Sequence, residues 1–441
     1  MQWSNRAMLN WLIENISDSG GIMKELRKIR LGELVDFQTG PFGTQFSASE
    51  YVNEGIPVIN VKNIGVGMVI RENLDYISEQ TRDRLSQHIL KTGDIVFGRK
   101  GSVDRHAYIF QNENGWVQGS DWIRARNKTP VNMLFLSQDL EGNGVKEQII
   151  NAAVGSTMPS LNTDILKDIT VLLPNIEEQN RISVALKKID DKICLNSKIN
   201  DNLEQQLMLL YDYWFIQFDF PDNDGNPYQT SGGKMVWNDT LKRNIPENWK
   251  VQSVISNCLS SIIKPGVEIF NTKTYLATAD VKGTSISTGT IVDYDGRESR
   301  ANMQPSINSV WFAKMKNSIK HLYLNKEMQP IISSSILSTG FCGLQCNEIS
   351  FEYIASYVSN AYFEIHKDML AHGATQEAVN NDDLAGVHII IPEAIVLRAY
   401  HEATQAIYAQ ISKNICENQE LVKLRDWLLP MLMNGQATIS D

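Results

Sequence analysis

The sequence predicts an α+β protein of two similar globular heads, related by a pseudo-twofold axis and separated by a long antiparallel two-helix coiled coil. Three observations carry this. The second half of the chain repeats the first, each copy ends in a long stretch with apolar residues every seven positions, and each copy opens with short apolar runs punctuated by Gly, Pro, Asn and Asp. At 441 residues the chain is long enough for two or three domains, because single cores stop growing near about 250 to 300 residues.

The repeat has an offset of 218, the step from Gly155 to Gly373. Gly155, Thr157, Asn162, Asp164, Leu166 and Pro174 meet Gly373, Thr375, Asn380, Asp382, Leu384 and Pro392. The same offset continues through Ala185, Ile189, Ile193, Asn196, Asn200, Leu203 and Leu210, which meet Ala403, Ile407, Ile411, Asn414, Asn418, Leu421 and Leu428. It dissolves within the heads, so they need not carry the same surface.

In the first head, Pro57 to Val61, Asp94 to Phe97, Trp116-Val117 and Ile169 to Leu173 read as short buried strands. Their counterparts are Tyr275 to Val281, Val310 to Phe312 and Val387 to Ile391. Pro174 and Pro392 end the last strand of each head and introduce a helix, where proline is tolerated near the first turn.

Beyond those prolines, Ile182, Ile189, Asn196, Leu203 and Leu210 form one heptad seam, and Tyr400, Ile407, Asn414, Leu421 and Leu428 a second. Ala185, Ile193, Ile199, Leu207 and Trp214, with Ala403, Ile411, Leu424 and Leu432, widen the stripes; the plainer alternative is two ordinary core helices. Asn196 and Asn414 sit mid-seam, where a buried polar residue fixes register. In an antiparallel pair these midpoints meet, so Asn196 and Asn414 are expected to bond to each other. With roughly 40 residues per helix at 1.5 Å each, the predicted spacer is about 60 Å long.

Composition narrows the function. Apolar content of 42% and charged content of 21% are ordinary globular values. No apolar run approaches the roughly 20 residues that cross a bilayer, and Arg6, Glu14 and Asp18 leave no signal-peptide core, so a cytoplasmic protein is expected. Five cysteines, Cys194, Cys258, Cys342, Cys346 and Cys416, predict reduced thiols; Cys342 and Cys346 lack a second pair to complete a metal site. The net charge of −10 opposes non-specific nucleic-acid binding, yet Ser299 to Lys326 and Trp122 to Gln138 carry basic residues without an acid between Arg300 and Lys326 or beside Arg124, Arg126 and Lys128. Read singly, each such run is a solvated face.

The segments Tyr211-Asp212-Tyr213-Trp214-Phe215, Gln217-Phe218-Asp219-Phe220, Ser231-Gly232-Gly233-Lys234-Met235-Val236-Trp237 and Ile245-Pro246-Glu247-Asn248-Trp249 resemble the central region of type I restriction-modification specificity subunits. Gly155-Ser156-Thr157, Pro159-Ser160-Leu161, Gly98-Arg99-Lys100-Gly101-Ser102 and Leu424-Arg425-Asp426-Trp427-Leu428-Leu429-Pro430 share the likeness, which runs from about Met23 to the C-terminus. The resemblance implies two target-recognition domains reading the halves of a split double-stranded DNA sequence, with the helices docking two methyltransferase subunits and, through them, restriction subunits. It implies no cofactor in this chain: S-adenosylmethionine belongs to the methyltransferase partner, and ATP and magnesium to the restriction partner.

On this reading the chain divides into an N-terminal extension (1–22), a first recognition domain (23–175), a central helix (176–218), a linker (219–245), a second recognition domain (246–393), a C-terminal helix (394–435) and a tail (436–441). Met1 to Ile22 precedes the usual family start; it is either an accessory helix, with Trp3, Met8, Leu9 and Trp11 on its apolar face, or a misassigned translation start.

Candidate DNA contacts lie on glycine-bracketed loops. Arg99, Lys100 and Ser102 follow a buried strand, although Arg99 has a structural alternative in an ion pair with Asp104. Thr44 and Gln45 lie on the Thr39 to Gln45 loop, where a plain turn is the alternative, and Arg124 lies in the first basic run. In the second head Ala313-Lys314-Met315-Lys316 replaces the Gly-Arg-Lys-Gly loop. There Lys314, Lys316 and Lys320 are assigned to phosphates, with Thr375 and Gln376 as base readers.

Two other functions compete. A methyltransferase or nuclease with its own recognition domain needs an Asn/Asp-Pro-Pro-aromatic pocket; Asn226-Pro227-Tyr228 is one proline short and lies in the linker. There is no Walker loop, and the seven histidines have no metal or triad spacing. A coiled-coil scaffold with two heads that bind non-DNA ligands fits composition and periodicity equally well.

Overall fold

The structure is a computed structural model that describes residues 16–18 as backbone and residues 26–155, 159–373 and 376–439 in full. It divides into two compact units: Met1–Asp190 with Leu424–Asp441, and Asp191–Lys423. Each long helix therefore begins in one unit and ends in the other, whereas the sequence places its boundaries at the helix ends.

In the first unit a four-stranded sheet has the order Val35–Thr39, Trp122–Asn127, Ile95–Gly98, His106–Tyr108, all antiparallel. Ile95–Gly98 is buried along its whole length, as a strand covered on both faces must be. A second sheet pairs Ile56–Ile59 in parallel with Val117–Gln118. Helix α1 (Met133–Glu141) is capped by Asn132, whose Oδ1 accepts from the amides of Leu134 and Phe135. It packs on the first sheet and leads directly to α2 (Asn143–Ala152).

The second unit repeats this plan: Ser260–Ile262, Phe341–Cys346, Ser309–Ala313 and His321–Leu324 lie in the same order. Its second sheet also holds one parallel pair, Thr272–Leu276 with Ser335–Ser338. The expected single strand over Tyr275 to Val281 is interrupted. The Asp280 carboxylate accepts from the amide of Ala277 and folds Thr278–Asp280 into a tight turn.

The helices of this head, α4 (Phe351–Ser359) and α5 (Ala361–Leu370), match α1 and α2 at both ends with an offset of 218. The repeat thus reaches well into the heads. It is hidden there because the side chains, though not the backbone, have diverged.

The first long helix, α3, runs Ile176–Tyr211 and the second, α6, runs Ala394–Met433. Asn175 caps α3 through its Oδ1 to the amide of Glu178, and Glu177 and Glu178 complement the positive end of the helix. At its far end α3 passes into a π-turn, Asp212–Ile216, that feeds an aromatic core. There Phe215 lies 4.6 Å from Tyr353 and 4.9 Å from Tyr400, centroid to centroid. The linker is also structured, with Met235–Asn238 pairing with Arg243–Pro246 as a hairpin.

Within the second unit the two helices run antiparallel, but in a different register from the one expected. Asn196 does not bond to Asn414. Its Nδ2 donates to Asn418 Oδ1 at 2.9 Å and to Glu417 Oε2 at 2.8 Å, while Asn414 Nδ2 donates to Asn200 Oδ1 at 2.7 Å. The pairing is thus shifted by four residues, and the repeat explains why. Asn200 and Asn418 are themselves a repeated pair, so 196 with 418 and 200 with 414 are the same contact made twice.

The surrounding bonds repeat as well. Lys192 donates to Asn196 Oδ1 as Gln410 does to Asn414 Oδ1, and Asn200 reaches the Ile411 carbonyl as Asn418 reaches that of Ile193. In the first unit the same antiparallel sense brings Arg425 to Asp190 at 3.3 Å.

Asn200 and Asn414 are both nearly inaccessible. Replacing Asn200 alone by Leu strands the Asn414 amide in an apolar layer and is expected to cost about 1 to 3 kcal/mol. The Asn200→Leu, Asn414→Leu double variant is expected to recover most of that loss. Urea midpoints of the four proteins in this cycle provide the check; additive losses would rule the pairing out.

Candidate nucleic-acid interface

In the first head the loops that follow Val35–Thr39 and Ile95–Gly98, the strands on either side of Trp122–Asn127, meet. Gly40 donates its amide to the Trp122 carbonyl, and a Cβ at this position would fall 1.9 Å from the Gly119 carbonyl oxygen, so only glycine permits the approach. The chain then exposes Phe42, Thr44 and Gln45 in a short 3-10 turn. Arg99 lies over the Phe42 ring at 5.7 Å from its centroid. The ion pair with Asp104 is not formed, since Asp104 pairs with Lys146 at 3.7 Å.

Lys100 is exposed, Gly101 takes the left-handed conformation with φ 76°, and the half-buried Ser102 donates its amide to the Lys100 carbonyl. The loop is anchored to the next segment: Gly101 donates to the Pro159 carbonyl and Leu161 to that of Arg99.

The second head builds the same loop with different side chains. Lys316 donates its amide to the Glu377 carbonyl and Val379 donates to that of Lys314, which makes Lys314 the backbone equivalent of Arg99. Beneath it lies a buried ionic cluster. Lys367, fully inaccessible, donates to Glu364 at 2.6 Å and to the carbonyls of Ala313 and Met315, while His321 meets Glu364 at 2.8 Å. Burial raises the Glu364 pKa, but the hydrogen bonds from His321 and Lys367 outweigh it and hold the carboxyl below its ordinary value. A buried cation that grips the carbonyls of Ala313 and Met315 holds the loop on both sides of the half-buried Lys314.

The remaining expected contacts separate. Arg124 is not on this surface: it is buried, and its guanidinium bonds to the Gln87 carbonyl at 2.8 Å and to Gln38. It lies inside the sheet because its strand carries it between two neighbours. Lys316 pairs with Glu377 at 2.6 Å, and Lys320 donates to the Thr278 carbonyl. Both are engaged with the protein, whereas Lys314 has no carboxylate partner among the described residues. Gln376 is exposed; Thr375, like Thr157, lies outside the described residues.

Sequence reasoning passed over Phe42 and Lys264. Lys264 is exposed just past Ser260–Ile262, the counterpart of Val35–Thr39. The Lys-Pro-Gly triplet there mirrors Gly-Pro-Phe-Gly after the first edge strand, but insertions move its offset away from 218 and hide it from a gapless comparison.

Two heads of one topology, each presenting a basic residue on a rigid loop, define a duplicated recognition protein whose heads share a frame and differ in surface. Residues 23–205 match the family described as the type I restriction modification DNA specificity domain. The chain is 24% identical to the type I restriction enzyme MjaIX specificity subunit of Methanocaldococcus jannaschii, covering 96% of each. It is 22% identical to the HindI specificity subunit of Haemophilus influenzae, over 79% of this chain and 87% of that one. The crystal structure of the type I system S subunit from M. genitalium shares the fold, with a TM-score of 0.51 at 13% identity over 94% of this chain and 98% of that one. The chain is thus similar to type I restriction-modification specificity subunits over nearly its whole length.

Arg99→Ala is expected to leave the melting temperature unchanged while weakening duplex binding by about 1 to 3 kcal/mol and relaxing the base preference in its half-site. Arg124→Ala is expected to do the reverse: a stability loss of about 1 to 3 kcal/mol from the stranded Gln38 and Gln87 groups. Thermal melts and duplex titrations of the two variants separate the roles.

Proposed function

We propose that this chain reads a bipartite DNA target, one head per half-site, for a type I restriction-modification complex, and does no chemistry itself. The observation that carries the reading is the loop built twice on one backbone plan, with Arg99 in one head and Lys314 in the other. A guanidinium suits bidentate contact with guanine, and an ammonium suits a phosphate. Heads with the same frame and different loop side chains are what two unlike half-sites require. In this reading S-adenosylmethionine acts on the methyltransferase partner and ATP with magnesium on the restriction partner. The complex works in the cytoplasm, where its DNA lies; no helix among the described residues is long and apolar enough to cross a membrane.

The surface for two methyltransferase subunits is read from exposed apolar residues on the long helices. Along α3 in the second unit, Leu195, Ile199 and Leu209 are exposed and fall within about an 80° arc at 3.6 residues per turn. Ile199, assigned from its spacing to a buried stripe, is on this uncovered side. The repeat does not copy the whole arc, because the α6 equivalents of Leu195 and Ile199 are Lys413 and Glu417, and Glu417 pairs with Lys192. It does copy one position: Leu209 is 70% exposed and its equivalent, Trp427, 55%. Two identical partners need a repeated anchor, and large exposed apolar residues supply the strongest ones.

Co-expression with the methyltransferase subunit is expected to give a complex of two methyltransferases to one of this chain. Leu209→Glu and Trp427→Glu are each expected to reduce it to one to one. Light scattering after size exclusion reads the stoichiometry; no complex with the unaltered chain would favour the scaffold without DNA, as would duplex binding that is weak at every salt concentration.

A further inference from the structure

The loop that joins Ser309–Ala313 to His321–Leu324 in the second head is held from one face of α5. Glu364, Lys367 and Asp368 are three and four residues apart, so they share that face, and each reaches a different part of the loop. Lys367 Nζ donates to the carbonyls of Ala313 and Met315, both at 3.4 Å, and Asp368 Oδ2 accepts from the Asn317 amide at 3.1 Å. Glu364 meets His321 at the far end of the loop at 2.8 Å. Lys367 also pairs with Glu364 at 2.6 Å and with Asp368 at 3.4 Å, which joins the contacts into one network.

The first head shows what the same backbone does without that network. Its loop, residues 99–105, is as long as residues 314–320. Lys100 bridges to Ser160 as Met315 does to Ala378, a pair related by the 218 offset, so Lys100 corresponds to Met315 and Ser102 to Asn317. In the first head the loop closes on itself, the Ser102 amide donating to the Lys100 carbonyl at 3.0 Å. In the second that bond is replaced: the carbonyl of Met315 accepts from Lys367, and the amide of Asn317 donates to Asp368. The α2 equivalents of Lys367 and Asp368 are Ile149 and Ile150, which can make neither bond.

Stability alone does not account for the exchange. A lysine with no exposed surface must recover its lost hydration from its partners, and apolar residues in such places are commonly as stabilising or more so. The first head uses them at these very positions, with Ile149 buried in the place of Lys367. What the ionic set adds is shape. It draws the loop onto the helix at three points and holds its bend at Asn317, which is exposed and left-handed with φ 56°.

We propose that Lys367 and Asp368 are positioning residues for the second half-site: acting through the loop rather than on DNA, they set the conformation in which Lys314 to Asn317 meet the duplex, and so determine which bases that head accepts. The inference rests on the DNA-reading role proposed above for this loop.

The test uses the complex with the methyltransferase subunit and three duplexes: the target mapped by methylation, and the same target altered in one half or in the other. The ratio of affinities gives the discrimination at each half, and Lys314→Ala identifies the half that the second head reads. Asp368→Ala is expected to lower discrimination at that half about tenfold and leave the other unchanged. Asp368→Asn, which keeps an acceptor for the Asn317 amide, is expected to retain it. Lys367→Met combined with Glu364→Gln removes the ion pair as a unit, strands no buried charge, and is expected to match Asp368→Ala. A lower melting temperature with both ratios unchanged would make the network a fold element only and overturn the proposal, as would an equal loss at both halves. If the unaltered complex discriminates at neither half, the recognition function itself fails and the positioning role goes with it.

Discussion

The arrangement of this protein depends on how two helices of one chain settle their register. Apolar seams slide past one another at small cost, whereas a buried amide tolerates only the position where its partner stands. Asn196 with Asn418 and Asn200 with Asn414 make the same contact twice in opposite senses, so that the alignment in which both close satisfies four amides together. A shift of one turn would leave buried donors and acceptors unpaired on both helices. Lys192 and Gln410 reinforce the choice by donating to Asn196 and Asn414 from one turn away.

Each head inherits a different use of one backbone plan. In the first, glycines let two loops touch and Arg99 rests on an exposed phenylalanine. In the second, a buried lysine grips the loop carbonyls on either side of the half-buried Lys314. The frame is fixed by sheet order and helix ends while the side chains at the loop tips are free to change. That division between an invariant scaffold and a variable surface lets a duplicated protein hold unlike ligands at its two heads.

The repeat, the long helices, most short strands and the special loops were legible because each rests on local chemistry: periodicity, proline, glycine and capping. What escaped depends on contacts between distant segments. The midpoints of the two seams suggested that Asn196 meets Asn414, but register is decided by the full set of amides, including Asn200 and Asn418. Arg124 resembled a surface charge because a basic run carries no sign of which residues lie mid-sheet. Lys316 and Lys320 found protein partners for the same reason, and Lys264 was hidden by insertions that spoil a fixed offset.

The central claim is that each head independently reads one half of a split DNA target. The most direct measurement replaces the second head, residues 246–393, with that of another specificity subunit and maps methylated adenines in a host that expresses it with the methyltransferase. The account predicts a new split motif in which one half is unchanged and the other is exchanged. A motif altered in both halves, or in neither, would contradict it.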